Sequence, residues 1–150
     1  MPWSESDRAS IGPGPGLGAV LLVDTSAWIE VFRKPARVDV ARLLDLDEVV
    51  TCLPVIQEVL QGFTDEAAFR TAREAMLSFP VVESPIGASV FEEAVLLYRA
   101  SRRAGFTVRS GVDCLIAACA LRHALTVVHV DRDFDLIARV APLKQRRLSR

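Results

Sequence analysis

Two short, uninterrupted apolar runs that each end on an aspartate constrain this chain most: GAVLLVD closes at Asp24 and TVVHVD closes at Asp131. A run with no polar alternation has no face to offer to water, so it reads as a strand buried on both sides, the kind found in parallel sheets. Parallel neighbours need long crossover connections, usually helical, and the intervening sequence supplies them. Val38 to Leu46 carries apolar residues at helical spacing, and EVVTCL (48–53) is a further apolar strand. Pro54 suits the first turn of a helix expected to run through Glu58 to about Gln61 and to stop at Gly62. Another helix begins near Thr64, with Asp65 and Glu66 in its first turn and Phe69, Ala72 and Met76 on its apolar face. PVVE (80–83) reads as a short strand, and Ser89 to Arg103 as a helix closed by Gly105. Ser110 is placed to cap a helix that carries Asp113 in its first turn, with Leu115, Ile116, Cys119 and Ala120 as its core stripe. A short helix follows Asp131, around Phe134 to Ala138. Strands alternating with helices predict an α/β fold around a mainly parallel sheet.

The 150 residues make one ordinary domain, and 51% hydrophobic with 25% charged residues is enough to build a core without a staple. Residues 1–17, rich in Gly, Pro and Ser, are expected to be a disordered leader, with the folded domain occupying 18–150. Three cysteines, Cys52, Cys114 and Cys119, sit in apolar runs and form no CxxC pair, so a reduced, cytoplasmic protein is the economical reading. No apolar stretch is long enough to span a bilayer, and a membrane role is not expected. The formal net charge of −1 argues against a generally basic nucleic-acid binder. Basic residues are nonetheless clustered: Arg99, Arg102, Arg103 and Arg109 crowd one stretch, and Lys144, Arg146, Arg147 and Arg150 crowd the acid-free end. Two readings stand, solvated helix faces with a ragged tail, or a cationic rim that recruits polyphosphate.

Ligands of open parallel sheets bind at the carboxyl ends of the strands. Asp24 and Asp131 follow strands and face that edge; the helices carrying Asp113 and Glu58 begin there. Taken singly, each acid reads equally well as a cap or a dipole partner. Jointly, four carboxylates from four remote segments are expected to converge. Two carboxylates about 4 Å apart repel by roughly 4 kcal/mol at an effective dielectric near 20, so the group must take up protons or hold cations. An all-oxygen set without a Cys or His pair favours Mg²⁺ or Mn²⁺ over zinc. Neither His123 nor His129 belongs to a nucleophilic triad, and His129, inside an apolar strand, reads as a satisfied buried imidazole. Trp28, Phe32 and Phe134 read as core or dimer-interface aromatics.

VDTSAWIE (23–30), PVIQEVLQG (54–62), RSGVDCLIAACALRH (109–123) and VVHVDRDFDLIA (127–138), in this order and at these separations, resemble the PIN-domain ribonucleases, in particular the VapC-like toxins of bacterial toxin–antitoxin pairs. The likeness spans about residues 19 to 142. It implies a three-layer α/β/α sandwich, with Asp24, Glu58, Asp113 and Asp131 as catalytic acids and Asp24, Asp113 and Asp131 as metal ligands. It makes Ser26 and Asp133 auxiliary, Asp133 being the alternative to Asp131 as the direct ligand. His129 departs from the small polar residue often found there. Arg109, just before the Asp113 helix, is a candidate contact for substrate phosphate.

The function implied is Mg²⁺-dependent (or Mn²⁺-dependent) hydrolysis of RNA phosphodiesters, leaving 5′-phosphate and 3′-hydroxyl ends. A VapB-like antitoxin is the implied partner, with a homodimer, or a heterotetramer or hetero-octamer with the antitoxin, as the assembly. Exposed apolar residues between Pro54 and Phe79 are candidates for those contacts. The alternative reading is a catalytically silent PIN-like module that binds RNA or a partner. A phosphoacceptor signalling domain needs an acidic pair beside the first strand, and a haloacid-dehalogenase-type phosphatase needs a second Asp where Ser26 stands.

Overall fold

A computed structural model of the chain describes residues 20–33 and 40–149. The expected leader, residues 1–17, lies outside them. The elements are β1 (Leu21–Val23), α1 (Thr25–Phe32), α2 (Val40–Leu43), a 3₁₀ turn (Leu46–Glu48), β2 (Val49–Cys52), α3 (Leu53–Gln61), α4 (Glu66–Leu77), β3 (Val81–Val82), α5 (Ala88–Arg103), α6 (Gly111–Arg122), β4 (Thr126–His129), α7 (Arg132–Ile137) and β5 (Lys144–Arg147). The five strands form one sheet in the order β3-β2-β1-β4-β5, and every neighbouring pair is parallel.

The registers follow the apolar runs. Leu21 and Leu22 of β1 lie opposite Val49 and Val50 of β2, and Leu22 and Val23 opposite Val127 and Val128 of β4. Leu22, Val23, Val127 and Val128 have no exposed surface, as a central strand covered on both faces requires. The chain steps from β1 through β2 to β3 in one direction, then returns past β1 to β4 and β5. Right-handed crossovers therefore put the helices before and after β3 on opposite faces. In agreement, α1 packs on α3 and α3 on α4, while α5, α6 and α7 pack on one another. The result is an α/β/α sandwich whose direction of winding reverses between β1 and β4.

Local signals behave as their chemistry dictates. Pro at the start of α3 gives up no hydrogen bond there. Asp65 caps α4 by accepting from the Ala68 N–H at 2.8 Å, and Ala72 and Met76 are buried while Phe69 stays partly exposed. Gly105 adopts φ +84 just past α5, a left-handed turn that costs glycine nothing. Ser110 stands at the N-cap of α6 without a side-chain capping bond. At the far end of α6, Arg122 donates from Nε to Glu83 (2.6 Å) and from Nη1 to Glu93 (2.7 Å), tying that helix to the loop after β3 and to α5.

Two expectations change. The apolar stretch Val38 to Leu46 is not one helix: residues 34–39 lie outside the described set, α2 ends at Leu43, and Asp45 starts a separate turn by accepting from the Asp47 N–H at 3.0 Å. The basic end is not a tail, since Lys144–Arg147 is an edge strand paired with β4. Its anchors are the flanking Leu143 and Leu148, 7% and 5% exposed, while charged residues on an edge discourage pairing with another chain. Cys52, Cys114 and Cys119 are free thiols in the core. Among the described residues, no helix is long and apolar enough to cross a membrane.

Candidate active site

The winding reversal opens a crevice at the carboxyl ends of β1 and β4, and the acids collect there. Asp24 is the first residue after β1 and the N-cap of α1. Its Oδ2 accepts from the Ser26 N–H (2.9 Å) and the Ser26 hydroxyl (2.6 Å), while its Oδ1 is buried with no donor. The cap reading and the functional reading of this aspartate thus divide between its two oxygens. Ser26 also works across the sheet. Its Oγ accepts from the Val130 N–H at 3.0 Å, joining the end of β1 to the loop after β4.

That loop carries the next acids. Asp131 caps α7, its Oδ1 accepting from the Asp133 N–H at 2.9 Å, and its side chain is 25% exposed. Asp133 is only 1% exposed; Oδ2 accepts from the Arg109 backbone N–H at 2.9 Å, and Oδ1 has no hydrogen-bond donor. Asp113, in the first turn of α6, is buried and leaves Oδ2 without a donor. Asp113, Asp131 and Asp133 each offer an oxygen within 4.8 Å of the others. Glu58 reaches the site from α3, held by the Thr25 hydroxyl, which donates to Oε1 at 2.9 Å.

The electrostatics record the crowding. Burial pushes the Asp113 carboxyl up to about 8, and the charges of Asp24, Asp131, Asp133 and Glu58 push the same way. Burial also raises Asp24, with Glu58 adding to the effect and the bonds from Ser26 opposing it. Arg109 answers part of the negative charge, with Nη2 at 3.3 Å from Asp131 Oδ1 and Nε at 3.7 Å from Asp133 Oδ1.

All the acids singled out from sequence, with Ser26 and Arg109, therefore meet in one crevice. Thr25 was not anticipated; the signal available was a hydroxyl directly after the strand-end aspartate, at the start of a helix facing another acid. His129 is fully buried: its Nδ1 accepts from the Asp131 N–H at 3.1 Å, so Nε2 carries the proton and donates to Gln145 at 2.6 Å. It shapes the loop of Asp131. Phe134 is fully buried and Trp28 nearly so, and Trp28 packs on Phe32 and Phe79. Arg102 and Arg103 lie exposed in the last turn of α5, where positive charge suits the helix end.

The model of the PIN domain family matches residues 21–140. The chain belongs to the PIN-domain family. It is 43% identical over 130 residues to ribonuclease VapC11 of Mycobacterium tuberculosis, covering 83% of this chain and 96% of that protein. Among solved structures it is similar to VapBC2 from Rickettsia felis bound to a DNA fragment from their promoter, with TM-score 0.69 and 16% identity over 86% of this chain and 98% of that one. A second such structure is VapBC-5 of Mycobacterium tuberculosis, a member of the VapBC family of toxin–antitoxin systems, with TM-score 0.65 and 24% identity over 86% and 99%. At these identities the two likenesses are of fold. The PIN domain here is the all-parallel sandwich already described, with its acids at the reversal point.

Proposed function

We propose that this PIN domain is a VapC-like endoribonuclease toxin that hydrolyses RNA phosphodiester bonds with Mg²⁺, Mn²⁺ serving in its place. One observation carries the metal-dependent reading. Asp24 Oδ1, Asp113 Oδ2 and Asp133 Oδ1 are buried carboxylate oxygens without a hydrogen-bond donor, in one crevice. Buried anionic oxygens are costly unless something positive meets them. Arg109 meets part of that need from the rim, and the remaining all-oxygen set suits a hard divalent ion. The RNA substrate is supported by the identity to the VapC ribonuclease over most of both chains.

In this reading Asp24, Asp113 and Asp133 would hold the ion, and Asp131, whose oxygen lies within 4.8 Å of those of Asp113 and Asp133, would support it from the rim. Asp133 is preferred to Asp131 as the direct ligand because it is the more buried and its buried Oδ1 has no hydrogen-bond donor. What a divalent ion supplies in such a site is acidified water for in-line attack at phosphorus and charge to steady the leaving oxygen. The protein's own groups do the rest. Ser26 keeps Asp24 aimed across the crevice, Thr25 fixes the Glu58 carboxylate facing it, and Glu58 is placed to take a proton from the attacking water. The RNA 2′-hydroxyl takes no part, so cleavage leaves 5′-phosphate and 3′-hydroxyl ends.

Exposed apolar surface supports a bound partner, here a VapB-like antitoxin, and self-association as a homodimer or as a heterotetramer or hetero-octamer with that antitoxin. Leu53 and Leu77 are exposed beside and within the span Pro54 to Phe79, but Phe91, Val95 and Leu96 of α5 are more so, at 50%, 57% and 61%. A reduced, cytoplasmic setting fits the three free cysteines. The deciding experiment incubates the purified chain with total RNA. Mg²⁺-dependent cleavage, abolished by EDTA and by Asp24→Asn, is expected; no cleavage by the wild type, or full cleavage by either control, overturns the proposal. Growth arrest on expression, relieved by a small co-expressed partner, tests the toxin assignment.

A further inference from the structure

We propose that Arg109 is an internal counter-ion that occupies the acidic crevice until a divalent ion displaces it, and that the freed guanidinium then binds a phosphate of the RNA. This rests on the metal-dependent nuclease reading and adds an ordered exchange to it. Arg109 is held to the site twice, by different parts. Its backbone N–H donates to Asp133 Oδ2 at 2.9 Å, which shapes the loop whatever the side chain does. Its guanidinium pairs with Asp131 Oδ1 at 3.3 Å and Asp133 Oδ1 at 3.7 Å.

The second attachment is the replaceable one. The Arg109 side chain is 60% exposed, and among the described residues its ion pairs are with these two acids. Asp133 is a ligand in the metal-dependent reading and Asp131 supports the ion beside it, and both belong with Asp113 to the group whose oxygens lie within 4.8 Å of one another. A guanidinium and a dication cannot both be satisfied by the same carboxylates, since each weakens the other's attraction and they repel each other. The side chain that must yield is the one with a solvent-exposed stem and free rotamers. A planar fork of five donors, released beside the crevice, is suited to a phosphodiester oxygen pair. The geometry therefore points to a residue that opposes metal binding and favours substrate binding.

Those opposite signs make the test. The unaltered chain, Arg109→Ala and Arg109→Gln are titrated with Mn²⁺ alone by calorimetry, and KM for a short single-stranded RNA is measured at saturating Mg²⁺. Both variants keep the backbone N–H and lose the charge. They are expected to bind Mn²⁺ roughly three- to ten-fold more tightly, the scale set by removing one partly exposed charge. KM is expected to rise about five-fold or more, with the salt dependence of RNA binding reduced by about one phosphate contact. Unchanged or weaker Mn²⁺ binding in the variants overturns the inference, because a merely structural arginine lowers both affinities together. A wild type that neither binds Mn²⁺ nor cleaves RNA overturns the nuclease reading and this inference with it. A wild type that does both, beside variants that lose both affinities, overturns this inference alone.

Discussion

Asp113→Asn should stabilise the metal-free protein at neutral pH while abolishing cleavage. The folded state raises the Asp113 carboxyl from its ordinary 3.8 to about 8. An acid whose folded pKa is raised binds more protons folded than unfolded, so stability falls as pH rises from about 4 through about 8. At ~1.4 kcal/mol per pH unit, holding that proton at pH 7 costs up to about 4 kcal/mol, and relaxation of the crevice brings the expectation to about 2–4 kcal/mol. Asparagine fills the same volume and never ionises, so it removes this cost. For a domain of this size the gain corresponds to a Tm increase of roughly 5–10 °C. Thermal melts in EDTA at pH 4.5 and 7.5 give the readout. The increase is expected at pH 7.5 and nearly absent at pH 4.5. Adding Mn²⁺ should raise the Tm of the wild type but not of the variant. A lower Tm for Asp113→Asn at pH 7.5 in EDTA, or a wild type whose Tm is flat between the two pH values, would refute the argument that crowding and burial dominate here.

Other outcomes follow from the same geometry. Ser26→Ala removes the link between Asp24 and the Val130 N–H; a loss of about 1–3 kcal/mol in urea unfolding and at least a ten-fold fall in kcat are expected. Asp133→Asn should weaken Mn²⁺ binding measured by calorimetry more than Asp131→Asn does, because the buried, donor-free oxygen belongs to Asp133; the reverse order would return Asp131 to the ligand position. Glu58→Gln can keep the bond from Thr25, so it should fold normally and lose cleavage by 100-fold or more on the scale of a general base. Metal affinity should itself rise with pH up to about 8, since the Asp113 carboxyl must shed its proton to serve as a ligand.

The fold was legible wherever burial writes a signal into residue type. Both aspartate-ended runs are central strands because a strand covered on both faces must be apolar throughout, and reversal of the winding between them follows from the order of the crossovers. The convergence of Asp24, Glu58, Asp113 and Asp131 came from the same geometry. β5 was not legible, because an edge strand of sequence KQRR carries no apolar pattern of its own; its signal lay in Leu143 and Leu148 on either side. The relative burial of Asp131 and Asp133 was also hidden. Nearness to the strand end favours the first, but the α7 cap turns one Asp131 oxygen to the backbone and leaves Asp133 facing inward, a rotation set by two hydrogen bonds that no spacing reports. Thr25 was missed because a hydroxyl at a helix start is ordinary until its partner, Glu58, arrives from 33 residues away.

The most direct test is a crystal grown with Mn²⁺ and measured at the manganese absorption edge. An anomalous peak bounded by carboxylate oxygens of Asp24, Asp113 and Asp133, at the reversal between β1 and β4, is the expected result. A crevice without manganese at millimolar concentration, or a peak elsewhere on the surface, would contradict the account.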